Sequence, residues 1–126
     1  MIIDAKFVMK KVLIVDDDQD ILTVVEMLLS MNNYSVKAIS RWQEIDSTIK
    51  SFCPDLILLY VALSGADGRE ICRHLKKSDE THNIPVILFS AHYDLANNIR
   101  ECMADGLVTK PFERSYLLET IRKNIA

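Results

Sequence analysis

The stretch "VDDDQD" places three adjacent aspartates, Asp16, Asp17 and Asp18, directly after an apolar run. Adjacent carboxylates repel one another, which costs free energy unless a cation or a helix N-terminus compensates. Hard divalent cations such as magnesium prefer oxygen ligands, so a metal site is one interpretation, and helix capping with ordinary solvation is the other. A cradle for a nucleotide or flavin phosphate is excluded here, because it needs a Gly-, Ser- or Thr-rich loop of backbone amides rather than carboxylates.

Three more side chains that could take part in chemistry stand at the ends of other apolar runs: Tyr60, Ser90 and Lys110. Taken alone, Ser90 is a loop hydroxyl or a helix cap, and Lys110 is a solvated charge. Tyr60 is the unusual residue, since a bulky phenol stands where a small reactive side chain is expected. These residues indicate a function only through the elements that carry them.

Short apolar runs of strand length alternate with segments of helical spacing along the chain. Strands that are apolar along their whole length and are separated by helices predict a parallel sheet covered on both faces. The predicted fold class is therefore α/β, a flavodoxin-like, doubly wound, five-stranded parallel sheet with five flanking helices. The predicted strands are Val12–Val15, Val36–Ile39, Leu56–Tyr60, Val86–Phe89 and Leu107–Thr109.

The helices follow from apolar residues at three- and four-residue steps. Asp18 is predicted to cap the first helix and Ser40 the second, which places Trp42 away from the acidic loop. The fourth helix is short, around Leu95 and Ile99. Sheets of this class hold their sites outside the carboxyl ends of the strands, so the aspartates and the three strand-end side chains are expected at one edge.

Composition limits the partners and the compartment. The chain has 126 residues and a net charge of −3, and without a Lys/Arg-rich tract nothing favours nucleic acid or an anionic membrane as a partner. No apolar run approaches the roughly 20 residues that cross a bilayer. Three cysteines, odd in number and far apart, indicate reduced thiols in a cytoplasmic protein.

The chain is predicted to be one domain behind a short extension. Loops are short, and no repeat or change of composition marks an internal boundary. Met9 and the two lysines after it have the pattern of a start directly before a strand. Residues 1–9 are therefore interpreted as an N-terminal extension and residues 10–126 as the domain.

The order of the motifs resembles the receiver domain of two-component response regulators. The segments "KKVLIVDDDQDI", "PDLILL", "IPVILFSA" and "TKPF" stand in that family's order and approximate spacing, and the resemblance extends from Lys10 to Ala126. In such receivers an aspartate at the end of the third strand takes a phosphoryl group from a histidine kinase or a small phosphodonor. Magnesium is held there by an acidic pair, by that aspartate and by a backbone carbonyl.

The resemblance assigns roles by position. It implies that Asp16 and Asp17 are the acidic pair, that the carbonyl of Ala62 is the main-chain metal ligand, and that Ser90 and Lys110 are the phosphoryl contacts. The position of the phosphoacceptor aspartate is occupied by Tyr60. A phenol has a pKa of about 10 where a carboxyl group has about 4, so it is not ionised at neutral pH. Its oxygen also lies further from the backbone, which spoils the geometry of attack.

Two consequences are expected at the site. Magnesium binding is weakened or lost with the third carboxylate, Lys110 pairs with one of the remaining aspartates, and the ring of Tyr60 fills the emptied pocket. Receivers also commonly carry an aromatic switch residue three positions before the lysine, and this chain has Leu107 there. The acceptor and the switch position therefore both depart from the family's pattern.

The resulting hypothesis is a non-enzymatic, phosphorylation-independent protein-interaction module. Its expected partners are a histidine kinase, an output protein or another receiver, with a homodimer through the fourth helix, fifth strand and fifth helix, at about Tyr93–Ile125. The alternative is a receiver that still accepts a phosphoryl group on another carboxylate, either one of the acidic pair or Asp67. Modification of Tyr60 by a tyrosine kinase is the least favoured hypothesis. Such a kinase needs an extended peptide as its substrate, and a phenol at a strand end in a packed pocket is a poor one.

Overall fold

A five-stranded parallel sheet lies at the centre of the computed structural model, which describes residues 9–91 and 102–125. Across the sheet the strands lie in the order Ser35–Ile39, Lys11–Val15, Leu56–Tyr60, Val86–Ser90 and Gly106–Thr109. The order in which strands are added therefore reverses between Lys11–Val15 and the central strand Leu56–Tyr60. Each strand is within one residue of its prediction, which confirms the flavodoxin-like fold class. The strands are β1 (Lys11–Val15), β2 (Ser35–Ile39), β3 (Leu56–Tyr60), β4 (Val86–Ser90) and β5 (Gly106–Thr109).

Helices cover both faces of this sheet. They are α1 (Gln19–Met31), α2 (Ile45–Phe52), α3 (Gly68–Lys77) and a C-terminal helix (Arg114–Asn124). Asp18 caps α1 as predicted, because its carboxylate accepts the backbone N–H groups of Asp20 at 2.9 Å and Ile21 at 3.4 Å. The predicted fourth helix around Leu95 and Ile99 and the first eight residues lie outside the described part of the chain.

The prediction that Ser40 caps the second helix is wrong. The chain enters α2 through a 3-10 turn at Trp42–Glu44, and neither Arg41 nor Glu44 makes a side-chain capping bond. Trp42 is instead held by a tertiary contact, since its indole N–H donates to the carbonyl oxygen of Ser64 at 3.2 Å. A contact between residues 22 positions apart has no signature in local spacing.

The sheet is buried on both faces, which explains why its strands are apolar throughout. One cluster joins alternate residues of β1 and β3 to α1 and the C-terminal helix, and the other joins the intervening residues to α2 and α3. Side chains alternate across a strand, so each strand feeds both clusters. Tyr60, at the end of β3, packs against both.

The register brings four strand ends together. Val15 pairs with Leu59, Tyr60 with Phe89, and Ser90 with Thr109. Beyond Tyr60 the chain forms a short antiparallel hairpin, Ala62–Leu63 with Ala66–Asp67, and enters α3. The hairpin turn passes through Gly65, whose φ of +83° is one that L side chains rarely adopt.

The three cysteines are free thiols, with Cys72 and Cys102 buried and Cys53 exposed. Burial raises the pKa of the Cys72 thiol to about 12, so it stays protonated and unreactive at neutral pH. In the described part of the chain, no helix is both long enough and apolar enough to span a bilayer.

Gly68 is expected to be intolerant of a methyl group, since a Cβ there would lie 2.2 Å from the carbonyl oxygen of Tyr60 and 2.9 Å from the Cα of Val61. Backbone atoms cannot move aside as a side-chain end can, and overpacking of this kind costs about 3 kcal/mol. We predict that Gly68→Ala lowers the free energy of unfolding by that amount in urea denaturation.

Gly106→Ala is the matched control. The atoms nearest to its Cβ would all belong to side chains, and the one tight contact is with the far end of the Ile87 side chain, at 2.8 Å, which can change rotamer. The loss expected for Gly106→Ala is below about 1 kcal/mol. Equal losses for the two variants would contradict the account of how β3 turns into α3.

Candidate functional site

The carboxyl edge of the sheet gathers the residues singled out in the sequence. Asp16, Tyr60, Ser90 and Lys110 stand at the ends of β1, β3, β4 and β5, which are neighbours in the sheet. Asp16 is fully buried, Ser90 is 2% exposed, and Tyr60 and Lys110 are partly exposed. The parallel register alone places these side chains within reach of one another.

An ion pair between Lys110 and Asp16 lies at the centre of this edge. Lys110 Nζ donates to Asp16 Oδ2 at 2.7 Å, with the lysine side chain 15% exposed and the aspartate not exposed at all. The expected pairing of Lys110 with the acidic pair is therefore confirmed, and its partner is the first aspartate. A buried carboxylate requires such a counter-charge, because desolvation without one costs several kcal/mol.

The ring of Tyr60 covers the same ammonium group. Lys110 Nζ lies 3.6 Å from the centroid of the Tyr60 ring and 5.7 Å from that of Phe89. A cation over an aromatic face is attracted by the ring's electrons, with an energy of about 0.5–2 kcal/mol that grows as water is excluded. Lys110 is thus held by one carboxylate and by the face of the residue that stands in the acceptor position.

Backbone hydrogen bonds fix the two members of the pair. The N–H of Asp16 donates to the carbonyl of Ile39 at 3.2 Å, and Asp16 Oδ1 accepts the N–H of Asp18 at 3.0 Å. The N–H of Lys110 donates to the carbonyl of Ser90 at 2.7 Å. Both oxygens of Asp16 are therefore engaged.

Asp17 faces a different partner. Its Oδ2 accepts the backbone N–H of Ser64 at 3.0 Å, and the carbonyl of Ser64 accepts the indole N–H of Trp42 at 3.2 Å. The acidic loop, the hairpin after β3 and the entry to α2 are thus tied together. Sequence analysis missed Trp42 and Ser64 here, because the apolar spacing of Trp42 indicated only a core position.

The hydroxyl of Tyr60 is kept protonated. Burial raises its pKa above the ordinary value of a phenol, and the nearby charges of Asp16, Asp17 and Asp18 raise it further. A raised pKa favours the neutral form, so at neutral pH the oxygen is a poor nucleophile.

The side chains at this edge do not fit a magnesium site. Magnesium needs oxygen ligands in near-octahedral geometry. One carboxylate oxygen of Asp16 accepts the ammonium of Lys110, and the other accepts the backbone N–H of Asp18. Tyr60 turns a ring face, not a carboxylate, toward the same place. Within residues 9–91 and 102–125, no three His, Cys, Asp or Glu side chains come together as a metal cluster.

Comparison with known proteins identifies the family and the fold. A family model described as the response regulator receiver domain matches residues 12–122. The chain belongs to that family. It is 35% identical over 115 residues to the phosphate regulon transcriptional regulatory protein PhoB of Pseudomonas aeruginosa, covering 90% of this chain and 50% of that protein. The chain therefore spans half the length of that curated relative.

Solved receiver structures share the fold. The CheY-like response regulator receiver domain protein of Methanospirillum hungatei is 26% identical, with a TM-score of 0.83 over 92% of this chain and 93% of its own. Vibrio cholerae CheY4, a chemotaxis protein, is 22% identical, with a TM-score of 0.85 over 94% and 100% of the two chains, and shows the fold alone. Receivers are signalling modules of two-component systems that interact with histidine kinases and output domains, and they typically bind magnesium where they are phosphorylated.

The remaining receiver positions lie as follows. Ala62 starts the short hairpin and is exposed, two residues beyond Tyr60. Leu107, at the switch position, is partly buried against the α2–α3 core cluster, and its carbonyl accepts the hydroxyl of Tyr116 at 3.3 Å. Asp67 caps α3 and binds Arg69 through both of its oxygens, and these bonds hold the pKa of its carboxyl below the usual value.

We predict that Lys110 and Asp16 are strongly coupled in a double-mutant cycle with Lys110→Met and Asp16→Asn. Lys110→Met alone should lower the free energy of unfolding by about 3 kcal/mol, because it leaves a buried carboxylate without a counter-charge. The double variant should lose less than the two single losses combined, with a coupling of about 1–3 kcal/mol in urea denaturation.

The control is the same cycle on Arg41 and Glu44, an exposed pair 3.8 Å apart, where the coupling should be below about 0.5 kcal/mol. Additive losses at Lys110 and Asp16 would show that the buried pair does not hold the site together.

Proposed function

We propose that this receiver is a phosphorylation-independent protein-interaction module of two-component signalling. The observation that carries the proposal is the state of Lys110, whose ammonium is paired with Asp16 and lies against the Tyr60 ring. In a phosphate-accepting receiver, that lysine is needed for the incoming phosphoryl group, and a carboxylate stands where the ring is. Here Tyr60 occupies the acceptor position and the cation has a partner within the chain.

The chemistry of acceptance supports the proposal. Attack on a phosphoryl group needs an ionised oxygen aligned with the leaving group. Tyr60 presents a protonated hydroxyl whose pKa is raised, on a ring that extends well beyond a carboxylate's reach. A phosphoryl group would also bring negative charge next to three aspartates without the metal that normally balances it.

The alternative acceptors are occupied by structural contacts. Asp16 is bound to Lys110 and to a backbone amide, and Asp17 accepts the N–H of Ser64. Asp67 is bound by Arg69 and caps a helix. Transfer to any of them would first break these contacts, so acceptance on another carboxylate is the weaker hypothesis.

Magnesium is proposed to bind weakly or not at all. The positive charge that a metal supplies to the acidic pair of a receiver is supplied to Asp16 by Lys110. Other cofactors are not expected. The module is accordingly proposed to have no catalytic role in its own phosphorylation.

The proposed partners are a histidine kinase, an output protein or another receiver, with neither nucleic acid nor membrane. The surface proposed for them, or for a homodimer, runs from Tyr93 to Ile125. Its described part is β5 and the C-terminal helix, where the ring of Tyr116 is 53% exposed. Residues 10–126 are proposed as the receiver unit behind the extension 1–9, and a cytoplasmic location stays a prediction from the free thiols.

With acetyl phosphate and magnesium, the wild-type protein is expected to take up no phosphoryl group, whereas Tyr60→Asp takes one up. The substitution restores a carboxylate beside Ser90 and Lys110, although losing the ring should cost about 1–3 kcal/mol of stability. Intact-mass spectrometry and hydroxylamine sensitivity measure uptake as an acyl phosphate.

Tyr60→Asn is the matched control, since it has the size of the aspartate without its charge and should stay unlabelled. An acyl phosphate on the wild-type chain would overturn the proposal, and peptide mapping would then choose among Asp16, Asp17 and Asp67. A folded Tyr60→Asp protein without label would show that Ser90 and Lys110 do not have the assigned roles.

A further inference from the structure

A groove runs between α2 and α3, on the face of the sheet away from α1. Two adjoining cavities of about 350 Å³ each make it up, and they share Asp46, His74 and Leu75 as lining residues. One cavity contains Ile45 and Ile71, and the other contains Ile49 and Ser78. Along α2 the two cavities are offset by one helical turn, from Ile45 to Ile49, and along α3 they overlap at His74 and Leu75.

The cavity beside Ile45 and Ile71 is mainly apolar, the cavity beside Ile49 is lined by polar and apolar surface in similar measure, and the rim is acidic. Leu75 and Ile45 are buried in it, and Ile71 and Ile49 are partly exposed. The rim carries Asp46, Glu70 and Glu80 against Lys50 and His74. Acidic side chains therefore outnumber basic ones at the rim.

Much of this negative charge is available to a ligand. Glu70 is bound by Arg73, but neither Asp46 nor Glu80 forms an ion pair with any described residue. Two cations of α3 are engaged elsewhere, because Arg69 binds Asp67 and Lys76 binds Asp105.

Trp42 joins this groove to the acidic loop. It lines the cavity beside Ile71 and also a smaller one of about 190 Å³ that contains Asp17 and Ser64. Its indole N–H holds the carbonyl of Ser64, whose own N–H is held by Asp17. An occupant of the groove would therefore touch the one tryptophan of the chain.

We propose that the α2–α3 groove binds a short amphipathic helix of a partner protein. The partner places apolar side chains in the two cavities and presents Lys or Arg to Asp46 and Glu80. Two cavities offset by one turn of α2 match side chains at positions i and i+4 of a helix lying along α2, about 6 Å apart along its axis. The acid-rich rim selects a basic helix by charge complementarity. None of the residues that line this groove belongs to the segment Tyr93–Ile125, and the proposal does not rest on the loss of phosphate acceptance.

The test uses two synthetic amphipathic helical peptides as probes. Both carry Leu at i and i+4 on one face; one has Lys at the flanking positions, and the other has Glu there. Trp42 fluorescence measures affinity, and backbone amide NMR shifts locate the site. The basic probe is expected to bind at least tenfold more tightly than the acidic one, with shifts confined to α2, α3 and the loop at Ser64.

Variants separate specific docking from general attraction to an acidic protein. Asp46→Asn/Glu80→Gln should weaken the basic probe about fivefold, as two surface ion pairs allow. Ile71→Ala should weaken both probes. Asp20→Asn/Glu26→Gln, the same change of charge on α1, should leave both affinities unchanged.

Several outcomes would overturn the proposal. Equal binding of the two probes, shifts centred on α1, or equal weakening by the α1 control variant would each show that the groove is not the site. Tighter probe binding after deletion of residues 1–8 would show that the chain's own N-terminus is the occupant. If Trp42 fluorescence changes with protein concentration in the absence of a probe, the occupant of the groove is a second copy of the chain.

Discussion

The buried charge of Asp16 is the constraint on which the rest of the site depends. A carboxylate with no exposure at the end of β1 must have a positive partner, and the partner it has is Lys110, brought alongside by the register of β3, β4 and β5. The same contact fixes where the lysine points and therefore what Tyr60 can do. The ammonium nitrogen lies over the Tyr60 ring, 3.6 Å from its centroid. Charge, sheet topology and the identity of one residue thus act together.

The contacts of the charged side chains at this edge are made within the chain. The fold is that of a receiver, and Asp16 is bound by Lys110 and by a backbone amide while Asp17 accepts the N–H of Ser64. Among the described residues, every buried side-chain nitrogen or oxygen has a hydrogen-bond partner. In our proposal such contacts stabilise one state of the site, whereas a phosphate-accepting site needs groups whose partners arrive from outside. Binding surfaces away from the edge, such as the α2–α3 groove, do not share this restriction.

The sequence predicted most of the fold because its strands are buried on both faces, so runs such as Leu56–Tyr60 and Val86–Ser90 are unbroken and easily bounded. It predicted that Lys110 pairs with Asp16 or Asp17, from the positions that the resemblance to receivers assigns, and the structure shows that the partner is Asp16. The sequence did not predict the position of Trp42. This residue lies in a 3-10 turn before α2, and its indole donates a hydrogen bond to Ser64. The groove between α2 and α3 could not be predicted from the sequence either. Its shape depends on how the two helices pack together, which the spacing of apolar residues within one helix does not specify. The role of Leu107 stays a prediction.

The most direct test of the central claim is a magnesium titration followed by NMR of the backbone amides of Asp16 and Asp17 and of the Lys110 ammonium, with the Tyr60→Asp variant alongside. If Lys110 is the permanent counter-charge of Asp16, the wild-type signals will show no saturable shift up to millimolar magnesium, and the Lys110 signal will not move. The variant, which has a third carboxylate, will show saturable shifts at both aspartates. Saturable binding to the wild-type chain, with Lys110 displaced from Asp16, would contradict the account.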